Sequence, residues 1–179
     1  MDSVDHRLQL ACLTDAPAIA AMSCRLIEAG LAPSWPAERV ARHIRHPESL
    51  VLTAKRAGGL SGFAIMQFAE QTAHLNLLAV ERASQRRGLG RALLAWLETS
   101  AVVAGTFLIG LELRASNGTA HAFYAALGYR DTGRVAGYYQ HAEDAIRMAK
   151  DLSAAPSRPE APSDPVDPGG SGRPASPSA

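Results

Sequence analysis

The chain has 179 residues, 47% of them hydrophobic and 20% charged, which suits one soluble globular domain with a core of ordinary size. A formal net charge of +1 excludes the marked basic excess of a dedicated nucleic-acid binder, and no stretch has the length of a signal-peptide core or a membrane span. Cys12 and Cys24 fit neither a zinc motif nor a disulfide framework, so reduced thiols in a cytoplasmic, metal-free protein are expected.

In chain order, RLQLACL alternates as a short strand does, and Thr14 is then placed to cap a helix with Asp15 and Pro17 in its first turn. Ile19, Met22, Leu26 and Ile27 form the apolar face of that helix, and Gly30 is expected to end it. After the loop LAPSWP, a short polar helix is predicted from Ala37 to His46, stopped before Pro47. SLVLTAK and LSGFAIMQFAE flank the turn Arg56-Ala57-Gly58-Gly59 and read as a hairpin, and AHLNLLAV follows as a further strand. A helix to about Ala104 carries Leu89, Leu93, Trp96 and Leu97 on one face; TFLIGLELR is the next strand. Ser116-Asn117 opens a helix bearing Ala120, Phe123 and Leu127, closed by Gly128 in the left-handed conformation. YRDTGRV and DAIRMAKDL supply two last strands, although periodicity alone leaves the second open to a helical reading. This order predicts an α/β (mixed α+β) domain over residues 1 to 152: a mixed, partly antiparallel sheet with helices on both faces. Residues 153 to 179 are Pro, Ser, Ala and Gly with almost nothing to bury, and a disordered tail is expected there.

The segment between AHLNLLAV and its helix reads QRRGLG, and glycine-rich turns that open helices hold anions. The P-loop pattern requires Lys and Ser or Thr after the last glycine, where Arg91 and Ala92 stand; the dinucleotide pattern requires Gly or Ala at position 93, which is Leu93. The remaining pattern, Gln/Arg-x-x-Gly-x-Gly/Ala, is met by Gln85-Arg86-Arg87-Gly88-Leu89-Gly90. Its glycines let successive N–H groups and the helix dipole face a pyrophosphate. On this reading Gly90→Val weakens ligand binding and spares the fold.

With HLNLLAV before this loop, and with LELRASNGTAHAFYAALGY and GYYQHAEDAIRMAKDL after it, the chain resembles the GNAT superfamily of acetyl-CoA-dependent N-acetyltransferases over roughly residues 7 to 152. Within it, the ribosomal-protein-alanine N-acetyltransferases are the most similar. The resemblance implies a twisted, mostly antiparallel sheet of about seven strands, splayed in the middle, and a coenzyme A pyrophosphate as the anion. It implies that Leu78, Ala79 and Val80 line the acetyl-CoA site, with the Leu78 N–H as oxyanion donor. Gln85 through Ala92 (with Arg86, Arg87, Gly88, Leu89, Gly90 and Arg91 between) would hold the pyrophosphate, and Asn117 and Tyr124 would touch the cofactor.

Acetyl transfer needs a held donor, an oxyanion site, a neutral amine and a proton for the departing thiolate. By the resemblance, Tyr124 is the general acid. Glu112 or His74 is the base, a choice the residues leave open; Glu112 alternatively pairs with Arg114. Trp35, Tyr138 and Tyr139 would contact the acceptor. An α-amine with a pKa of about 8 is roughly 10% neutral at pH 7, against about a thousandth or less for a lysine amine. An α-amine, above all that of a protein or peptide N-terminus, or another weakly basic amine is therefore the easier acceptor where no strong base stands out. A small-molecule amine, or a non-catalytic acetyl-CoA-binding module, is the alternative, in a monomer or homodimer.

Overall fold

The computed structural model describes residues 6–57, 59–141 and 143–153. Its elements are β1 (Arg7–Leu10), α1 (Ala16–Leu26), α2 (Ala37–Arg45), β2 (Ser49–Arg56), β3 (Gly59–Phe68), β4 (Thr72–Val80), α3 (Leu89–Val103), β5 (Leu108–Arg114), α4 (Gly118–Ala126), β6 (Arg130–Tyr139) and β7 (Glu143–Asp151). The seven strands form one sheet in the order β1-β2-β3-β4-β5-β7-β6. Every pair is antiparallel except β4 with β5. This is the mixed, mostly antiparallel sheet expected. The disordered tail expected over residues 153 to 179 lies almost wholly outside the described residues.

Each face of the sheet has its own core. On one side Ile19 and Met22 of α1 and Val40 of α2 pack with Trp35 against Val51, Phe63, Ile65, Leu77 and Ala79. On the other, Leu89, Leu93, Leu94, Leu97 and Ala101 of α3 and Tyr124 of α4 cover Leu52, Ala64, Met66, Leu75, Ile109 and Leu111. Strands covered on both faces have no polar side to show, which is why β2 and β3 read as continuous apolar runs. DAIRMAKDL resolves as a strand because it lies between β5 and β6 and pairs with both.

Three local expectations are corrected. Thr14 does not cap α1: it lies within a short 3₁₀ turn, Leu13–Asp15, and Asp15 occupies the capping position. There the Asp15 carboxylate accepts from the Cys12 N–H at 3.0 Å and pairs with Lys55 at 2.6 Å. Helix α1 ends at Leu26 rather than continuing to Gly30, because the N–H groups of both Ile27 and Glu28 turn back onto the Ser23 carbonyl. Trp96 is 37% exposed, and Leu94 takes the core position assigned to it.

The sheet opens in its middle. Strands β4 and β5 pair only from Thr72↔Leu108 to Leu75↔Leu111; beyond Leu75 the edge of β4 facing β5 has no strand partner. The divergence begins at a bulge. On β3, Ile65 faces Leu77 and Met66 faces Leu75, so Asn76 is the extra residue. The bulge also reverses side-chain facing: Ala73 and Leu75 join the α3/α4 core, whereas Leu77 and Ala79 join the α1/α2 core.

Candidate active site

A cavity of about 770 Å³ occupies the opening between β4 and β5. Eight of the residues singled out in the sequence line it: Trp35, His74, Leu78, Glu112, Asn117, Tyr124, Tyr138 and Tyr139. They come from α2's leading loop, β4, β5, α4 and the end of β6. Ala79 and Val80 are instead buried in the two cores, and residues 85–92 stand at the start of α3, outside the cavity lining.

The two rival bases are a bonded pair. In the parallel register His74 lies beside Gly110, which puts Glu112 two residues further along β5 on the same face. His74 Nε2 lies 2.5 Å from Glu112 Oε2, and Arg147, directly across the ladder on β7, donates to Glu112 Oε1 at 3.1 Å. Glu112 is mostly sheltered, with 14% side-chain exposure, whereas His74 keeps 44% and reaches the cavity. The alternative Glu112–Arg114 pair does not form. Arg114 pairs at 2.6 Å with Glu143, which is pulled down to about 2 by the hydroxyl and N–H of Ser116 and then by Arg114 itself. Arg114 also donates to the Ala29 carbonyl at 2.8 Å, tying β5 to the loop after α1.

Tyr124 projects from α4 into the cavity, with its ring edge-on to Phe123 and Tyr129. Burial, reinforced by neighbouring Tyr139, holds its phenol well above the ordinary range, so it stays protonated at any physiological pH. Its hydroxyl has no hydrogen-bond partner among the described residues, which leaves the proton available to a ligand. Asn117 caps α4 by accepting the Ala120 N–H at 3.0 Å. Tyr138 and Tyr139 meet edge to face at 5.0 Å. Tyr139 is pushed up to about 12 by burial, with Tyr138 and Glu112 adding to the shift.

Sequence patterns did not point to the residues that shape the α1–α2 loop. The buried Glu28 carboxylate accepts from the Ser34 N–H at 2.6 Å, the Ser34 hydroxyl at 2.5 Å and the Ser23 hydroxyl at 3.3 Å. Gln140, at the tip of the β6–β7 turn, accepts from the Ala32 N–H at 3.0 Å and donates to the Ala32 carbonyl at 2.7 Å. The Glu28 contacts are local to the loop, whereas those of Gln140 join stretches far apart in the chain. The only local signal was a glutamate inside the apolar run LIEAG.

The turn before α3 suits an anion. Arg86 at φ 62° and Gly88 at φ 81° are both left-handed, and Gly88 precedes a 15-residue helix that no side chain caps. The first N–H groups of α3 are thus free to donate. Gln85 donates its side-chain amide to the Val80 carbonyl at 2.9 Å and its backbone N–H to the Arg82 carbonyl at 3.3 Å, which pins the start of the turn to the end of β4. Gly90 departs from expectation in one respect. A Cβ there would come within 3.3 Å of the Phe123 ring and 3.7 Å of Val80, so the missing side chain also lets α3 approach α4. Gly90→Val is therefore expected to lower the melting temperature as well as acetyl-CoA affinity, measured by thermal denaturation and calorimetry.

A sheet parted between two central strands, with a glycine-opened helix beside the gap and a protonated tyrosine within it, is the arrangement that the resemblance to acetyl-CoA-dependent N-acetyltransferases led us to expect. Residues 27–152 match the acetyltransferase (GNAT) domain, and the chain belongs to the GNAT acetyltransferase family. A ribosomal protein bS18-alanine N-acetyltransferase of Salmonella typhimurium is 41% identical over 97 residues, covering 52% of this chain and 66% of that protein. An N-alpha-acetyltransferase of Mycobacterium tuberculosis is 30% identical over 122 residues, covering 65% and 75%. The crystal structure of the ribosomal-protein-S18-alanine N-acetyltransferase from Escherichia coli superposes with a TM-score of 0.73 at 32% identity, covering 86% of this chain and 97% of that one. Among the described residues, no helix is long and apolar enough to cross a membrane.

Proposed function

We propose that this GNAT acetyltransferase moves the acetyl group of acetyl-CoA directly to the α-amine of a protein or peptide N-terminus in a ternary complex. The observation that carries this reading is the convergence of Tyr124, the His74–Glu112 pair and Leu78 on one cavity where the sheet opens. The bS18-alanine acetylating relative supports the acceptor class. Acetyl-CoA supplies the activated acyl thioester. The turn at Arg86–Gly88 and the start of α3 would hold its pyrophosphate, and the unpaired edge of β4 around Leu78 its thioester end.

In the reaction the amine nitrogen bonds to the thioester carbonyl carbon, the C–S bond breaks, and one proton leaves the nitrogen while another reaches the sulfur. His74 and Glu112 serve the first proton. With His74 Nε2–H donating to the Glu112 carboxylate, Nδ1 carries the lone pair, and Arg147 holds the carboxylate in place. Glu112 is thus a positioning residue and His74 the proton acceptor. Tyr124 serves the second proton by donating to the developing thiolate, whose basicity rises in the same water-poor setting. Trp35, Tyr138 and Tyr139 bound the acceptor.

The test is acetyl-CoA turnover against peptides with free or blocked N-termini, peptides whose one amine is a lysine side chain, and small amines. Peptides with free N-termini are expected to be acetylated fastest, with mass spectrometry placing the acetyl group on the α-nitrogen. Faster turnover of lysine or of small amines would overturn the acceptor assignment.

A further inference from the structure

Arg39 carries a charge that the fold positions but does not neutralise. It lies one helical turn beyond Trp35, with its guanidinium carbon 4.0 Å from the Trp35 ring centroid. Its Nη1 donates to the Ser34 carbonyl at 3.1 Å, and Ser34 is itself anchored through its N–H and hydroxyl to the buried Glu28. One flat face and one edge of the guanidinium are therefore fixed, which removes much of the rotamer freedom an exposed arginine keeps. Among the described residues no carboxylate lies within ion-pair distance of it. The other arginine lining the cavity, Arg114, is paired with Glu143.

A preorganised, half-buried guanidinium with free N–H groups matches the planar, two-oxygen geometry of a carboxylate better than any neutral group. It also discriminates by repulsion. The acceptor arrives mostly as an ammonium ion, and a second positive charge on it would face Arg39 unpaired. We infer that Arg39 forms a carboxylate subsite, and that the preferred acceptor carries a carboxylate close to its reacting amine. The inference rests on the acetyl-transfer reading above. The carboxylate has two possible sources: an Asp or Glu side chain next to the terminal residue, or the free α-carboxylate of a small amino acid.

The experiment measures kcat/KM in two arms. The first uses C-terminally amidated peptides that differ only in an Asp, Ala or Lys second residue; the second compares free alanine with alanine amide. In wild type the Asp peptide is expected to exceed the Lys peptide by about tenfold, or free alanine to exceed its amide by a similar factor, depending on the source. Arg39→Glu is expected to invert the order, and Arg39→Lys, which keeps the charge but weakens the stacking on Trp35, to preserve it. The KM for acetyl-CoA is expected to stay fixed throughout, which separates a subsite from a general loss of packing. Flat series in both arms, or an unchanged order in Arg39→Glu, would overturn the subsite and leave the acetyltransferase reading standing. If no acceptor of either arm is acetylated while acetyl-CoA still binds, the transfer reading fails and the subsite falls with it.

Discussion

Tyr124→Phe is expected to lower turnover by about 10² or more while acetyl-CoA affinity holds, the range of a lost general acid. The substitution deletes only the hydroxyl. The ring keeps its edge-on contacts with Phe123 and Tyr129 and its place in the core, so fold and cofactor surface are retained. The hydroxyl makes no protein hydrogen bond among the described residues, hence its removal leaves no buried partner unsatisfied and stability should change little. Steady-state kinetics on a verified acceptor, with calorimetry for acetyl-CoA, provides the check. Full activity in Tyr124→Phe would end the general-acid assignment.

The second large effect belongs to the His74–Glu112 pair. Glu112→Gln is expected to cost as much as His74→Gln, each about 10² or more in turnover, although only His74 takes the proton. An amide at position 112 can donate to His74 Nε2, which favours the tautomer with Nδ1 protonated and removes the lone pair that accepts. Each variant should remove the enzyme base's contribution to the acidic limb of the pH–rate profile, leaving the part set by deprotonation of the acceptor amine. The double variant should then be little worse than either single one, because groups that act as a unit are non-additive. Losses that multiply would show two independent roles. An enzyme-base contribution kept in His74→Gln but lost in Glu112→Gln would make the carboxylate itself the base.

Helix α4 was readable in detail: Asn117 caps it, Gly128 at φ 91° follows its end, and Tyr124, the proposed acid, lies on it and lines the cavity. The Gln85–Gly90 turn was equally legible, because left-handed backbone and an uncapped helix start are local properties. The pairing of His74 with Glu112 was not legible. It joins residues 38 apart through a parallel register of four residues, and shifting either strand by one would turn a side chain to the opposite face. Arg114 looked like the partner of Glu112 on spacing alone, yet the antiparallel neighbour β7 sets Arg147 opposite Glu112 and gives Arg114 to Glu143.

Local patterns in the chain therefore indicated the element order and the glycine turn before α3, and the resemblance they carry pointed to the family and to the proposed site residues. The element order and the turn depend on backbone preferences and apolar periodicity within a few residues, which a linear reading can see. Which side chains meet was decided by the tertiary structure. The bulge at Asn76 changes the facing of β4 and marks where β4 and β5 part. The clamps from Gln140 to Ala32 and from Arg114 to Ala29 then carry the α1–α2 loop to the cavity rim. Each is a contact between segments distant in sequence, where one residue of register or one side-chain rotamer selects the partner. Short-range patterns carry no information of that kind.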